Sequence, residues 1–178
     1  MVYAKEALAL VLSLAVVTSL AGCNLINQKS GTTGVHAMTQ GQLDRLIRRY
    51  GSDVHGSADF LKLVYDNVPM LCISDVGHDR MRIIAPVRET SKLAPGQMAV
   101  LMEANFDRAL DARYAIRDGI VFAAFIHPLS PLTDAEVVAA LREVASLTRT
   151  FGTTYSSGDL VFGGGGELGS GRPPGRPN

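Results

Sequence analysis

A two-residue turn inside a long apolar stretch constrains the fold of this chain most strongly. Asp118 and Gly119 stand between apolar runs at residues 112–116 and 120–126, and Asp-Gly between such runs is a strong local signal for a β-hairpin. The second run is apolar at every position, so we expect it to form a central strand that is covered on both faces. A hairpin here requires an antiparallel arrangement of the two strands.

Three more strand-like runs precede this hairpin, at residues 60–65, 68–74 and 80–87. Residues 66–67 and 75–79 separate them, and both connections carry Asp, Asn or Gly, which favour turns. Such short connections join antiparallel neighbours, whereas parallel strands need a crossover of a dozen or more residues. The pattern therefore predicts a series of hairpins.

Helices are predicted at both ends of this strand region. The first begins at Thr39, where Gln42 completes a capping box, and it ends at Gly51. The last begins at Thr133, where Glu136 stands at the same spacing, and it ends at Gly152. Its predicted inner stripe consists of Val137, Leu141, Val144 and Phe151.

A further helix is predicted between the strand runs. Pro95 is a good residue for a first helical turn. Apolar and amide side chains then recur at helical spacing along one stripe, at Met98, Leu101, Met102 and Asn105.

The predicted order of elements is α-β-β-β-α-β-β-α, an α+β fold with an antiparallel sheet and helices rather than a parallel nucleotide-binding sheet. Several short stretches add to this order: Asn105-Phe106, Ala112-Arg113-Tyr114-Ala115-Ile116-Arg117-Asp118-Gly119, His127-Pro128-Leu129, Leu132-Thr133 and Phe151-Gly152-Thr153-Thr154-Tyr155. Through them, residues 39–155 resemble the YbjN-like family, whose fold is that of the type III secretion chaperones. The resemblance implies a domain that binds polypeptide, often as a dimer, and it brings no catalytic residues.

The first residues of the chain are typical of an export signal. A short polar start with Lys5 precedes an almost continuous run of Ala, Leu and Val at residues 7–20. This run is shorter than the roughly 20 apolar residues that a membrane-spanning helix needs. The junction Leu20-Ala21-Gly22-Cys23 resembles the lipobox of bacterial lipoproteins. That resemblance implies cleavage between Gly22 and Cys23 and attachment of lipid to the Cys23 thiol.

The lipobox sets the expected organisation and location of the chain. We expect a signal peptide at residues 1–22, a flexible tether at 23–37, the α+β domain at 38–156 and a disordered Gly- and Pro-rich tail at 157–178. The anchor would hold the domain at a membrane of the cell envelope, facing the periplasm or the cell surface. Asn24, directly after the cysteine, resembles the sequence pattern of lipoproteins that are transferred to the outer membrane in two-membrane bacteria.

Composition argues against several kinds of partner. Lys plus Arg and Asp plus Glu number 17 each, so no net charge attracts the chain to nucleic acid. Tryptophan is absent and aromatic residues make up 6%, which leaves little material for stacking bases or sugars. The second of the 2 cysteines, Cys72, lies in an apolar run and is expected to be a small buried hydrophobe, with a nucleophile as the alternative.

The turn at residues 75–79 is the best candidate for chemistry. Asp75, His78 and Asp79 could bring three donor atoms together, but turns collect Asp for backbone reasons alone. We therefore predict no metal site and no cofactor. The acidic residues Glu103, Asp107 and Asp111 near the middle helix are interpreted as solvated charges.

Three functions remain open at this point. The first hypothesis is a membrane-anchored, non-enzymatic domain that binds an envelope protein or a peptide through an uncovered sheet face or a helix groove. The second is an envelope enzyme in which Asp75, His78 and Asp79 converge with Cys72 in a pocket. The third is a structural component of the envelope that acts as a homodimer.

Overall fold

The computed structural model describes residues 37–158. The predicted signal peptide, Cys23, most of the tether and the tail from residue 159 lie outside these residues. The helices are α1 (Gln40–Tyr50), α2 (Gln97–Asp107) and α3 (Asp134–Thr150), with a short 3-10 turn at Thr90–Lys92. The strands are β1 (Ser52–Ser57), β2 (Phe60–Tyr65), β3 (Val68–Asp75), β4 (Arg80–Glu89), β5 (Arg113–Arg117) and β6 (Ile120–Pro128).

The six strands form one sheet in the order β1-β2-β3-β4-β6-β5, and every neighbouring pair is antiparallel. The predicted α+β class and the order of the predicted elements are confirmed. The structure adds β1, which the sequence analysis did not identify. This edge strand is almost entirely exposed and has Val54 as its one partly buried residue, so its sequence carries no apolar alternation.

The predicted hairpin turns are confirmed by their backbone angles. Asp118 and Gly119 have φ values of 50° and 74°, and Asp66 and Asn67 have φ values of 50° and 60°. Two consecutive left-handed residues are what a two-residue type I′ hairpin requires, because their twist matches that of the strands they join. The residue types at these turns therefore fix the strand connections.

Helices α1 and α3 begin at the predicted capping boxes. The Thr39 hydroxyl accepts from the backbone N–H of Gln42, whose side chain accepts from the backbone of Thr39, and Thr133 and Glu136 repeat the arrangement. Each box supplies partners to two backbone donors that the first helical turn leaves free. Both helices then pack on the same face of the sheet.

The hydrophobic core lies between these two helices and the sheet. Alternate strand residues point into it, and the predicted stripe of α3 is buried, with Phe151 half-buried at its end. The largest fully buried side chains are Leu43, Ile47, Leu61, Met81, Ile83, Leu101, Leu141, Leu147, Val121, Val137, Val144 and Cys72. Burial of apolar side chains is the main stabilising contribution, since the described residues hold one cysteine and so no internal disulfide.

The side chain of Asn105 closes the edge of the sheet at β5. Its Oδ1 accepts from the Tyr114 N–H at 2.7 Å, and its Nδ2 donates to the Tyr114 carbonyl at 3.0 Å. An unpaired strand edge is a template for aggregation, and this amide occupies both backbone groups of one edge residue. Asn105 thus joins α2 to the sheet and shields the backbone of β5 at Tyr114.

Packing continues slightly beyond the domain boundary predicted at residue 156. Ser157 is buried, and its hydroxyl accepts from the Leu110 N–H at 2.5 Å. The Ser157 N–H donates to the Arg108 carbonyl at 3.3 Å. The sequence analysis placed Ser157 in a disordered tail because its partners lie almost 50 residues earlier in the chain.

Candidate functional site

The two faces of the sheet are not equivalent. Helices α1 and α3 cover one face, whereas no described residue outside the strands and their turns forms a layer over the other. We call this second surface the open face. Its members follow from the strand register, because successive side chains in a strand point to opposite sides.

Apolar side chains dominate the centre of the open face. One cross-strand row runs from Lys62 through Leu71, Ile84 and Ala124 to Arg113. The next row runs from Phe60 through Ile73 and Arg82 to Ile126. A third row on the open face consists of Val64, Pro69, Pro86, Phe122 and Ala115.

A depression of about 420 Å³ lies on the open face. It spans β1 to β4 and reaches β6 at Phe122. Its walls are formed by Asp53, His55, Lys62, Leu63, Val64, Pro69, Met70, Leu71, Pro86 and Phe122. A site of this size with apolar walls and a few charged groups at its rim is typical of a binding pocket.

Lys62, Arg82 and Arg113 carry positive charge among the apolar side chains of the open face. Arg113 donates to the backbone carbonyls of Leu110 and Ala112. Among residues 37–158, no carboxylate forms an ion pair with Lys62, Arg82 or Arg113. Lys62, Arg82 and Arg113 therefore present positive charge on the open face without an ion pair from residues 37–158, and Asp53 lies in the wall of the depression.

The open face corrects one prediction about β6. We expected this strand to be covered on both faces, yet Ile126 is 58% exposed and Phe122 is partly exposed. The opposite face of the strand is buried under α3 through Val121, Ala123 and Phe125. The apolar run thus has two causes, a core on one side and an uncovered apolar surface on the other.

A sequence signal for the open face existed but was assigned to burial. Both β3 and β6 carry apolar residues at nearly every position, which indicates contact on two sides. Only three helices are predicted, and in α+β folds the helices are segregated to one face or one end of the antiparallel sheet. Combining these two observations would have pointed to an apolar surface without a cover.

The Asp75, His78 and Asp79 cluster does not form an active site. His78 pairs with Asp75 at 2.7 Å in an exposed position, and this contact lowers the pKa of the Asp75 carboxyl. The Asp79 carboxylate turns away to accept from the hydroxyl and the N–H of Ser130, both at 2.7 Å. Within residues 37–158, no group of three or more potential ligands is placed to hold a metal ion.

Cys72 does not share a pocket with Asp75, His78 and Asp79. Its side chain is 1% exposed on the covered face of the sheet, and burial raises the pKa of its thiol to about 12. A nucleophilic cysteine needs the thiolate and access to substrate. The enzyme hypothesis that rested on Cys72 and the turn therefore fails on geometry, and Cys72 is a buried hydrophobe as predicted.

The remaining acidic candidates are dispersed. Glu103 and Asp111 are exposed, and Asp107 is partly exposed at the end of α2. Asp111 and His127 do line a second depression of about 260 Å³ with Glu136, at the start of α3. The Glu136 carboxylate there is held by the capping box, and its hydrogen bonds with Thr133 lower its pKa.

Asp79 has a structural role that can be measured. Its hydrogen bonds to Ser130 join the start of β4 to the loop before α3, and they lower the pKa of its carboxyl below the usual 3.8. Because the folded pKa is depressed, this stabilisation is present above pH 3.8 and is lost as the pH falls through the folded pKa. We expect Asp79→Asn to be less stable than the wild type in urea unfolding at pH 7, with the difference narrowing as the pH falls below 3.8.

The control for this prediction is Asp118→Asn, which also stands at a left-handed turn position. Asn tolerates that backbone conformation, so neither substitution introduces backbone strain. Asp118 is exposed, and within the described part of the chain it pairs with its neighbour Arg117 alone, so a small effect is expected. A stability difference for Asp79→Asn that stays constant from pH 7 to pH 3 would contradict the assignment.

No helix among the described residues is both long enough and apolar enough to cross a bilayer.

Solved structures include proteins that are similar to this chain. No family model matches the chain, and no curated protein matches it. A chain of the HopA1–SchA chaperone–effector complex is similar at 12% identity and a TM-score of 0.47, over 60% of this chain and 87% of that chain. A chain of the ExsC–ExsE complex is similar at 18% identity and a TM-score of 0.48, over 63% of this chain and 95% of that chain. The YbjN-like assignment stays a prediction from the sequence.

Proposed function

We propose that this chain is a membrane-anchored, non-enzymatic protein of the cell envelope that binds an extended polypeptide segment on its open face. The observation that carries the proposal is the contiguous apolar surface at the centre of that face. Soluble proteins rarely expose contiguous apolar patches, and such patches commonly mark interaction sites. Rows of side chains at strand spacing suit a partner that is itself extended, because alternate side chains of the partner then enter successive depressions.

Charge defines the chemistry of the partner segment. Lys62 and Arg82 stand within the apolar rows and have no ion-pair partner among residues 37–158. A segment that alternates apolar and acidic residues would place its apolar side chains in the depression and its carboxylates beside these cations. Complementary charge of this kind selects partners and speeds association more than it adds raw affinity.

The lipid anchor defines where this binding takes place. In this proposal, Cys23 carries the lipid, and the residues between Cys23 and α1 tether the domain to a membrane of the envelope. Asn24 favours the outer membrane. A tethered domain meets partners in the same compartment at a raised effective concentration, so a modest intrinsic affinity is sufficient.

Synthetic peptides test the binding proposal directly. The chain from residue 23 with Cys23→Ser is titrated into two labelled peptides, one alternating valine with aspartate and one alternating valine with lysine. Fluorescence anisotropy should give the acidic peptide at least tenfold tighter binding, which corresponds to about 1.4 kcal/mol. The double variant Lys62→Glu, Arg82→Glu should reverse this preference.

The matched control is Arg142→Glu, which changes the charge of an exposed residue on α3, on the other side of the sheet. It should leave the preference for the acidic peptide intact. Equal affinity for the two peptides, absence of binding to both, or a preference that survives the double variant would each refute the proposal.

A further inference from the structure

A second exposed apolar surface lies on α2. Met98, Met102 and Phe106 are 37%, 49% and 80% exposed. They are four residues apart, so they line one side of the helix. Ile116, an exposed apolar residue of the adjacent edge strand β5, extends the surface. We call Met98, Met102, Phe106 and Ile116 the α2 stripe.

The burial of α2 differs from the sequence prediction. Of the predicted stripe, Leu101 is buried and Asn105 bonds to β5, whereas Met98 and Met102 face outward. Apolar residues on both sides of a helix are typical of a helix that other parts of the protein cover on both sides. The described residues supply a cover on one side only.

The path of the chain after α3 leads to the end of this stripe. The Tyr155 hydroxyl accepts from Gln97 in the first turn of α2, and Arg108, which follows α2, donates to the Thr154 carbonyl. Gly158, the last described residue, is packed so tightly on Leu110 that a Cβ atom there would lie 3.0 Å from that side chain. The chain therefore leaves the described region beside the C-terminal end of α2, where Phe106 is located.

The next residues have the composition that the stripe requires. They are Asp159, Leu160, Val161 and Phe162, and four glycines follow them. Four extended residues span roughly 13 Å, and the eight steps from Met98 to Phe106 rise about 12 Å along the helix. Among the described residues, Arg108 provides positive charge at this end of α2, and its guanidinium donates to the Thr154 carbonyl.

We propose that Leu160, Val161 and Phe162 fold back on the α2 stripe of the same molecule. The three apolar side chains cover Phe106 and Met102, while Asp159 lies beside Arg108. The four glycines at residues 163–166 have no side chains with which to continue the contact. The α2 stripe is thus occupied by the chain's own segment, and the open face is left as the apolar surface that is available to a partner.

A single tryptophan can report on this contact because the chain contains none. Phe162→Trp places an indole in the segment, and Pro174→Trp places one well beyond the glycines as a reference for full exposure. In the otherwise complete chain with Cys23→Ser, we expect the indole at position 162 to be quenched by acrylamide severalfold more slowly than the indole at 174. Its emission should also lie at shorter wavelength.

Two further variants identify the surface that protects the indole. Adding Met102→Asp to Phe162→Trp should raise the quenching to the level of the Pro174→Trp reference. Adding Ile126→Asp, an equal change at an exposed residue of the open face, should leave the protection unchanged. Far-ultraviolet circular dichroism verifies that each variant is folded.

Three outcomes would overturn this proposal. Equal quenching at positions 162 and 174 would show that the segment does not dock. Protection that survives Met102→Asp would place the segment elsewhere. Protection that is lost on dilution would show that a second copy of the chain covers the stripe instead. None of these results bears on the peptide test, which measures a different face of the molecule.

Discussion

Replacing Glu143 with alanine is expected to lower the free energy of unfolding by about 2–4 kcal/mol, since each buried N–H left without an acceptor costs roughly 1–3 kcal/mol. Glu143 is buried in the middle of α3, and its Oε2 accepts from the N–H groups of Asp111 and Ala112 at 3.0 and 2.8 Å. These two donors belong to the connection between α2 and β5. The carboxylate therefore fixes the segment that positions the edge strand.

Glu143→Gln is the matched control for this prediction. The amide oxygen of glutamine can take the place of Oε2 and accept from both donors, so the geometry is retained and only the charge assistance is lost. Urea unfolding should place Glu143→Gln between the wild type and Glu143→Ala. A thermal midpoint that falls by roughly 10 °C in the alanine variant corresponds to the expected loss. A loss below about 1 kcal/mol would mean that water replaces the carboxylate at little cost.

The contrast between Glu143 and the capping boxes shows what a sequence can predict. Thr39 and Gln42 are three residues apart, and so are Thr133 and Glu136, so the interaction is encoded in a window that can be read directly. Glu143 bonds to backbone more than 30 residues away. A charged residue on a helix is normally solvated, and nothing near Glu143 in the sequence indicates otherwise.

The same dependence on contacts between distant residues explains why the open face was not predicted from the sequence. Turn residues and strand runs predicted the sheet because hairpins are local, and the register then decides which side chains share a face. Apolar residues on both sides of β6 predicted contact on both sides, but periodicity does not state what makes the contact. Whether a core, a partner or the chain's own segment covers Ile126 or Phe106 depends on tertiary packing.

The hypothesis of an active site at the turn of residues 75–79 is wrong for a related reason. Proximity in sequence suggested that Asp75, His78 and Asp79 would converge. In the fold, Asp79 has a left-handed backbone and its carboxylate bonds to Ser130, which is 51 residues later in the chain. A turn brings backbone atoms together, while its side chains are free to point to different neighbours.

Replacing Cys23 with serine is expected to release the chain from the membrane completely. Cys23 is the proposed attachment site for two or three acyl chains, and each buried methylene contributes about 0.8 kcal/mol, so two chains hold a protein firmly where one does not. Serine keeps the size of the side chain but removes the thiol that forms the thioether. In cell fractionation, the wild type should sediment with membranes, and Cys23→Ser should not.

Cys72→Ala is the matched control, because it removes the other of the 2 cysteines from a buried position. That variant should remain with the membranes. Intact-mass measurement of the detergent-extracted wild type should show a chain that begins at residue 23 and carries lipid. An unmodified Cys23, or a mass that still includes residues 1–22, would remove the anchor from the proposed function. The peptide specificity of the open face would be unaffected, because that binding is measured on a chain without lipid.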